Sequence, residues 1–441
     1  MDRREFLRRM AVAAASTGAI GMAACGGGSS VGGAGGKNQP VTIRALSFEN
    51  AVNIKNLLKA YQLYHAAHKN VTISAEVTDY SAYTQKLATL VAGNNTPDVL
   101  ASNTAVIPQY GSKHVLLPLD KLVSSRTIDL SGFVQSAIEG NKYGGVLYGV
   151  PFDVVAPTIV YNKTLFQKAG VKMPPQMWTW DQFAKTAVSV SKALGKGYWG
   201  TEDFSGSNEI GFELWLRPKG KHYVLANGKL GFAQADLTGW YRFWDDLRKA
   251  GGAPPGTIQA QENPSQTETS LLAQGKAAMF GTLTPQFINI KAHMPDSLDL
   301  HMVPNGFSQG GMRNQHFLIA GYSASIARSS KHQDVAASII NFILNDPQAS
   351  KIYFSGSRIP CSAKTRQQLE KSLPSGDPKR LSLGYVDTVA KDASSVPYRA
   401  GSASLTDLFS RSAQSVALGQ ASIDAAAKSF FSQAPQYLTT S

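Results

Sequence analysis

Two glycine-containing stretches have spacings that are known from enzymes. Residues 306–310 have the Gly-x-Ser-x-Gly spacing of many serine hydrolases, and residues 195–200 have the Gly-x-Gly-x-x-Gly spacing of dinucleotide-binding loops. A nucleophilic serine of this kind has to join a strand to a helix, but the residues after Gly310 predict a loop followed by a strand. The second stretch follows a predicted helix, whereas a dinucleotide loop follows a strand. We therefore interpret both stretches as structural.

Two pairs of side chains could hold a metal ion or cleave a glycan. His65 and His68 lie on one predicted helix, but a zinc site needs at least a third ligand and the sequence shows none that is evident. Glu49 and Asp153 would have to meet in the folded chain to act as the carboxylate pair of a glycosidase. We therefore predict a protein with no catalytic residues, no bound metal and no cofactor.

The N-terminal residues predict an export signal. An Arg3-Arg4 pair followed by Phe6-Leu7 resembles the twin-arginine signal, although the general export route stays open. The uncharged stretch 10–24 is too short to span a bilayer, which needs about 20 apolar residues. Met22-Ala23-Ala24-Cys25 resembles the lipoprotein box, in which the cysteine carries a diacylglyceryl group.

Cys25 is therefore the predicted lipidation site, and the signal peptide 1–24 would be removed. Residues 25–40 are rich in Gly and Ser and predict a flexible tether. We expect a lipid-anchored protein on the extracytoplasmic face of the cell membrane, in a cell with one membrane or two.

The composition predicts two domains and no nucleic-acid partner. The chain carries 43 Lys and Arg against 30 Asp and Glu, but the basic residues are scattered and form neither a stripe nor a nucleic-acid-binding motif. A single core stops growing at about 250–300 residues, so a chain of 441 residues should form two domains. With Cys25 acylated, the other cysteine, Cys361, has no disulfide partner, and we expect it to be buried. We expect a monomer.

Strand and helix patterns alternate along the N-terminal part of the exported chain. Apolar residues at the appropriate spacings predict, in order, strand 41–48, helix 50–68, strand 71–77, helix 80–92 and strand 98–101. Such alternation is typical of a parallel sheet covered by helices, so the predicted fold class is α/β. The C-terminal quarter of the chain predicts mostly helices.

Several short motifs follow one another in the order found in one protein family. They are Thr96-Pro97-Asp98-Val99, Leu117-Pro118-Leu119-Asp120, Tyr148-Gly149-Val150-Pro151, the stretch Ile159–Phe166, Thr179-Trp180-Asp181 and the stretch Leu272–Met279. In this order and spacing they resemble the extracellular solute-binding proteins of ABC importers, the family that includes the maltose-binding protein. The resemblance extends from about Val41 to the C terminus.

The resemblance implies a two-lobed periplasmic-binding-protein fold of type II. Each lobe would be a mostly parallel sheet covered by helices, and the ligand would be trapped when the lobes close about a hinge. The implied boundaries are 41–152 plus 283–315 for the first lobe, 157–278 plus 321–441 for the second lobe, and hinge crossings near 152–157, 278–283 and 316–321.

Ligands of open α/β sheets bind beyond the carboxyl ends of the strands, and this rule together with the resemblance predicts the ligand-binding residues. The candidates are Phe48, Glu49, Asn50, Asn103 and Thr104 in the first lobe, Asp153 at the hinge, Asp203, Phe204 and Trp215 in the second lobe, Thr282, Thr284, Met312 and His316 at the later crossings, and Arg358 and Arg399 near the C terminus. Sugar recognition needs flat aromatic faces and planar polar groups. Many sugar-binding members carry a stacking tryptophan in the stretch that is Gly281-Thr282-Leu283 here, so Trp215 or Phe204 would have to supply the aromatic face.

The predicted function is the capture of a small solute, first of all a sugar or an oligosaccharide, and its delivery by lobe closure to the permease subunits of an ABC importer. A phosphorylated polyol, an amino-sugar or a peptide stays open as the ligand, and Arg358 and Arg399 in the cleft would favour an anionic one. A lipid-anchored glycan-acting enzyme is the alternative of another class, because Glu49 and Asp153 could approach each other.

Overall fold

The computed structural model describes residues 39–49, 51–104, 106–261, 269–308, 311–312, 315–394, 399 and 402–438. The predicted signal peptide, Cys25 and the tether up to residue 38 lie outside the described residues, and so does Asn50. Within the described ranges, no helix combines the length and the apolar character needed to cross a membrane.

Strands and helices alternate along the described chain. The strands β1–β16 span Val41–Phe48, Val71–Thr78, Val99–Ser102, Lys142–Tyr143, Val146–Leu147, Val150–Pro151, Val154–Val155, Pro157–Asn162, His222–Val224, Leu230–Gly231, Met279–Leu283, Leu298–His301, Gly306–Phe307, Gly311–Met312, Ile319–Ala320 and Ser323–Ile326. The helices α1–α17 span Ala51–Ala67, Tyr80–Ala92, Val106–Gly111, Asp120–Ser124, Gln135–Gly140, Lys163–Ala169, Trp180–Leu194, Ile210–Leu216, Gln234–Lys249, Gly256–Gln259, Thr284–His293, Gln333–Asn345, Pro347–Tyr353, Ala363–Ser372, Pro378–Asp392, Ala403–Ala417 and Ile423–Gln433.

The first lobe is built on a five-stranded sheet with the order β2-β1-β3-β16-β6. β1 runs parallel to β2 and β3, whereas β16 runs antiparallel to β3 and β6. The helices α1 and α2 make the crossover connections that parallel neighbours require, as the alternating pattern predicts. α12 packs on α1, where the Tyr64 hydroxyl donates a hydrogen bond to Ser338 Oγ at 3.0 Å.

The second lobe is built on a three-stranded sheet with the order β11-β8-β12. Both outer strands run antiparallel to β8, so this sheet differs from the mostly parallel one that the sequence predicts. The core beside it is rich in aromatic residues, and it includes the fully buried Trp178, Trp180, Trp240 and Trp244. Cys361 is fully buried in the other core, as expected.

The lobe boundaries predicted beyond residue 283 are wrong. The sequence places 283–315 in the first lobe, but β12 pairs with β8, and α11 packs against β8 and β11. It places 321–441 in the second lobe, but β16 pairs with β3, and α12 and α13 pack on α1. The chain then returns to the second lobe, where α15 packs on α11 and β12, and α16 and α17 pack on α9. Pairing partners far away in the sequence decide these boundaries.

Three connections between the lobes lie in the described part of the chain. β6 leads to β8 through β7, and β15 leads to β16; β7 and β15 pair antiparallel, with Val155 opposite Ile319. The third connection is the segment 354–362 between α13 and α14, where Pro360 forms a β-bridge with Asp153. The crossing predicted near 278–283 is wrong, because β11 pairs with β8 along its whole length.

Two cations hold the backbone of the third connection, which has little regular secondary structure. Lys379 Nζ on α15 donates hydrogen bonds to the carbonyl oxygens of Phe354, Gly356 and Arg358, the last at 3.0 Å. Arg366 on α14 donates through Nη1 to two further carbonyl oxygens of the connection, both at 2.8 Å. These bonds satisfy backbone groups that lie outside any sheet or helix. One of them holds the backbone carbonyl group of Arg358 itself.

Candidate functional site

Arg358 joins two carboxylates at the hinge. Its guanidinium donates hydrogen bonds to Glu49, which follows β1, and to Asp153, which lies between β6 and β7. The guanidinium carbon lies 4.6 Å from the ring centroid of Tyr322, whose N–H donates to Asp153 Oδ1 at 2.6 Å. The side chains of Arg358 and Glu49 are 10% and 2% exposed, so water competes little for these charge-assisted bonds.

Burial and charge oppose each other in this cluster. Burial raises the pKa of the Glu49 carboxyl above its ordinary value, and the Arg358 charge offsets this only in part. Burial acts to lower the pKa of Arg358, but the neighbouring Tyr353, Asp153 and Glu49 groups raise it well above its ordinary value. Arg358 therefore stays charged, and its charge is matched by two carboxylates. Glu49 and Asp153 do meet, as the glycan-acting alternative requires, but both bind the same guanidinium.

An aromatic and amide face lies at the carboxyl edge of the first sheet. Phe48, at the end of β1, packs edge-to-face against Tyr80 with ring centroids 4.9 Å apart. Asn103, which follows β3, accepts the Val106 N–H through Oδ1 at 2.9 Å and donates through Nδ2 to the Tyr80 hydroxyl at 3.2 Å. Thr104 beside it is half-buried. Tyr80 is 45% exposed, so its ring is available to stack on a ligand.

A cavity of about 370 Å³ lies in the second lobe, and we refer to it as the second-lobe cavity. Its lining contains hydroxyl groups (Ser205, Ser207, Ser270, Thr282, Ser410), amides (Asn208, Gln259, Gln286, Gln414), the carboxylates of Glu202 and Asp203, and the apolar Phe280, Leu283, Ala260 and Ala417. A smaller, apolar cavity lined by Phe204, Leu214 and Val303 adjoins it through Gly281 and Thr282. The volume lies in the range of about 300–1,000 Å³ that is typical of small-molecule sites.

Hydrogen bonds fix the loop that carries the carboxylates of the second-lobe cavity. Asp203 Oδ1 accepts the Ser205 N–H at 2.9 Å, and Asp203 Oδ2 accepts from the Arg248 guanidinium on α9. The Asp203 N–H donates to Gln259 Oε1 at 2.9 Å, which orients one amide of the wall. The polar wall is therefore preorganised, and ligand binding would cost little additional ordering.

Gly281 allows an aromatic ring to reach the wall of the smaller cavity. A Cβ atom at this position would lie 2.6 Å from the ring of Phe204, which is far inside carbon–carbon contact distance. Because Gly281 has no side chain, Phe204 packs against β11, while its ring centroid lies 4.6 Å from that of Trp244. Phe204 thus lies beside Gly281-Thr282-Leu283, the stretch that lacks the stacking tryptophan found in many sugar-binding members of the family that the sequence resembles.

Trp215 belongs to the aromatic core of the second lobe. It is 7% exposed, and its ring packs edge-to-face against Trp180 and Phe307. The Lys219 ammonium lies 4.7 Å from the ring centroid on another side. Trp215 is not among the described residues that line either cavity. Its packing does not favour the stacking role that the sequence suggests.

His316 and Thr284 take part in packing at the hinge. Burial lowers the pKa of His316 to about 4, so the ring is neutral near pH 7. His316 Nε2 lies 2.8 Å from the carbonyl oxygen of Val303, and the neutral ring donates this hydrogen bond through Nε2–H. Thr284 is fully buried, and its Oγ1 accepts the Ala156 N–H at 3.2 Å. Neither residue is among the described residues that line the two cavities of the second lobe.

The structure brings most of the predicted residues into three groups. Two further predicted residues lie outside these groups. Met312 lies opposite Gly306 in the β13–β14 pair, and Arg399 is exposed and lines neither cavity. The groups are Glu49, Asp153 and Arg358 at the hinge, Phe48, Asn103 and Thr104 on the first-lobe face, and Asp203, Phe204 and Thr282 at the cavities of the second lobe. Within the described residues, no three His, Cys, Asp or Glu side chains are placed to hold a metal ion.

The sequence did not point to Tyr80 or to three glutamines of the second-lobe cavity. Tyr80 comes shortly after β2, so the rule about strand ends could have found it. Gln259, Gln286 and Gln414 lie on α10, α11 and α16, which are far apart in the chain. A polar residue on a helix looks the same in sequence whether it faces solvent or a cavity.

A solved structure shares this fold. The extracellular solute-binding protein family 1 structure from Alicyclobacillus acidocaldarius is 26% identical to this chain and superposes with a TM-score of 0.75. The similarity covers 90% of this chain and 98% of that one. The comparison confirms the two-lobed α/β fold.

Two bacterial proteins are similar in sequence to most of this chain. A Brucella abortus (strain 2308) protein that is named as a putative binding protein is 22% identical over 393 residues, which are 88% of this chain and 90% of the relative. The diacetylchitobiose binding protein of Streptomyces coelicolor is 23% identical over 357 residues, which are 77% of this chain and 79% of the relative. Residues 49–350 match the family described as bacterial extracellular solute-binding protein. The chain therefore belongs to the family of bacterial extracellular solute-binding proteins.

Proposed function

We propose that this protein captures a sugar or an oligosaccharide between its lobes and delivers it to an ABC-type importer. The observation that carries the proposal is the second-lobe cavity, whose hydroxyl and amide groups lie beside the rings of Phe204 and Phe280. Hydroxyl and amide groups can form hydrogen bonds with sugar hydroxyls, and aromatic rings can stack on the apolar faces of sugar rings. The similarity to a diacetylchitobiose binding protein supports a carbohydrate ligand.

Capture would proceed by closure of the lobes onto the ligand. The cavities border the hinge, because Pro157 and Leu283, which pair beside the first crossing, line their walls. Tyr80 offers an exposed ring at the carboxyl edge of the other lobe's sheet. A ligand that contacts both lobes binds the closed form more tightly and shifts the population toward it. The permease subunits would then recognise the closed form.

A lipid on Cys25 would hold the protein at the extracytoplasmic face of the membrane. The Gly- and Ser-rich residues 25–40 would act as the tether, so that the lobes stay close to the permease while moving freely. Such tethering raises the local concentration of ligand-loaded protein at the permease. A monomer is the working form in this proposal.

A thermal-shift screen of mono- and oligosaccharides, glycerol phosphates and amino acids tests the proposed function. A sugar that binds the native state should raise Tm progressively with its concentration, by mass action, and no product should form from it. Thr282→Val should weaken the response because Thr282 lines both cavities, whereas Thr388→Val on the exposed face of α15 should not. A screen in which no saccharide raises Tm would contradict the proposal, and product formation would make the protein an enzyme.

A further inference from the structure

Building on the proposed function, we propose that the second-lobe cavity selects its ligand by charge and by hydrogen-bond polarity. It accepts neutral or amino-substituted sugars and rejects sugar acids and phosphorylated polyols. The proposal depends on the sign of the charges in the lining, on the acceptors that the lining presents, and on where the nearby arginines are engaged.

The charged groups in the lining of the cavity are acidic. Among the described lining residues of both cavities, Glu202 and Asp203 are the only ones with an ionisable side chain. Arg248 neutralises Asp203, but it comes from α9, is 8% exposed and is not part of the lining. An anionic ligand would therefore approach two carboxylates without meeting a cation in the described lining. Like charges repel strongly where the surroundings are partly buried.

The lining also presents a buried acceptor that could take a donor from the ligand. Gln286 Oε1 is buried and accepts no hydrogen bond from the described residues. The Glu202 carboxylate is a second acceptor group of the lining, and it already accepts the Leu272 N–H at 2.6 Å. Sugar hydroxyls, acetamido N–H groups and ammonium groups can donate, whereas an ionised carboxylate can only accept. An acid group placed beside Gln286 would leave the buried Oε1 unsatisfied, which costs more than an ordinary hydrogen bond contributes.

The arginines that could have attracted an anion do not serve the cavity. Arg358 binds Glu49 and Asp153 at the hinge, so its charge is already matched. Arg399 is exposed and does not line either cavity. Neither arginine is therefore placed to attract an anionic ligand into the cavity.

Calorimetric titration with matched disaccharides tests the inference. Two sets of disaccharides are titrated, one of gluco and one of galacto configuration. Each set contains the neutral sugar, the amino-sugar and the uronic acid. The titrations use the full exported chain at neutral pH. We expect the neutral or the amino form to bind at least about tenfold more tightly than the acid. Uronic acids that bind as tightly as their neutral counterparts would overturn the charge selection and leave the proposed function standing. If no member of any charge class binds, the proposed function itself fails.

A charge placed on the cavity wall provides a second test. Gln414 is exposed on α16 and lines the cavity, so Gln414→Arg should raise the affinity for the uronic acid about tenfold and lower that for the amino-sugar. Ser404→Arg places the same charge on an exposed position of the same helix outside the lining and should change neither affinity. Equal effects of the two variants would overturn the inference.

Raising the salt concentration to about 1 M should reduce the difference in affinity between the neutral sugar and the uronic acid in the unmodified protein. A ratio of the two affinities that does not change with salt would count against a charge effect.

Discussion

The guanidinium of Arg358 donates a hydrogen bond to the carboxylate of Glu49, and this bond links the third connection to the end of β1. The two residues are 309 positions apart in the sequence, and both side chains are nearly inaccessible to water. Side chains thus tie an irregular backbone segment to the edge of the first sheet. The pair gives a direct way to test how much the hinge contributes to the stability of the fold.

Replacing Arg358 by Leu should lower the free energy of unfolding by about 3–5 kcal/mol, because two buried carboxylates lose their cation. The exposed Arg328 offers a matched control, and Arg328→Leu should change the free energy of unfolding by less than about 0.5 kcal/mol. Urea denaturation followed by circular dichroism measures both. A loss for Arg358→Leu that is no larger than the control value would mean that the cluster contributes nothing to stability.

The buried His316 should make the fold less stable in acid. Its pKa is about 4 in the folded chain and about 6.5 when unperturbed, so the unfolded chain binds more protons between these values. The contribution is complete above about pH 6.5 and is lost as the pH falls toward 4, by at most about 3 kcal/mol. His316→Gln should remove this part of the pH dependence of unfolding, whereas His293→Gln at an exposed position should keep it. Equal pH profiles for the two variants would contradict the assignment.

Tyr80→Ala should weaken sugar binding about tenfold, because it removes an exposed aromatic face from the first lobe. The free energy of unfolding should change little, since nearly half of the side chain already faces water. Tyr80→Phe keeps the ring and loses only the hydroxyl that Asn103 binds, so it should retain most of the affinity. Calorimetric titration with the best sugar of the screen measures all three proteins. Unchanged affinity in Tyr80→Ala would remove this ring from the site.

Trp215→Ala should destabilise the second lobe by about 3–5 kcal/mol, because the substitution leaves a large void in a packed aromatic core. Trp215→Phe fills most of that space and should leave the affinity for sugar unchanged. Chemical denaturation and calorimetric titration separate the two effects. A large loss of affinity in Trp215→Phe at unchanged stability would return Trp215 to the ligand site.

Cys25→Ala should abolish the incorporation of labelled fatty acid into the protein in growing cells and should release the protein from the membrane fraction. Cys361→Ala is the matched control, because Cys361 is buried and should carry no lipid. Label that persists in Cys25→Ala would place the modification elsewhere, whereas absence of label in the unmodified protein would show that the leader is an ordinary signal.

The N-terminal elements could be predicted because their signals are local. The helix predicted at 50–68 is found at Ala51–Ala67, and the strand predicted at 98–101 is found at Val99–Ser102. A capping box also begins α7, with Gln182 Oε1 accepting the Thr179 N–H at 2.8 Å. Apolar periodicity and capping depend on residues a few positions apart, so a single sequence contains them.

The assignment of elements to lobes depends on pairings that no local pattern contains. Ser323–Ile326 is buried along its whole length, and such a strand fits either sheet until its partner is known. It pairs with β3, which lies more than 200 positions earlier. The candidate site shows the same limit, because Asp203 and Thr282 follow from strand ends, whereas Gln414 reaches the cavity from a helix near the C terminus.

Lys379 has a mechanical consequence for the motion of the lobes. Its ammonium ties three carbonyl oxygens of the segment 354–358 to α15, and α15 packs on α11 and β12 of the second lobe. Arg358 in the same connection binds Glu49 after β1, so the third connection is tied to both lobes. We therefore expect the third connection to resist bending when the lobes move, and the two paired connections through β7 and β15 to take up more of the change.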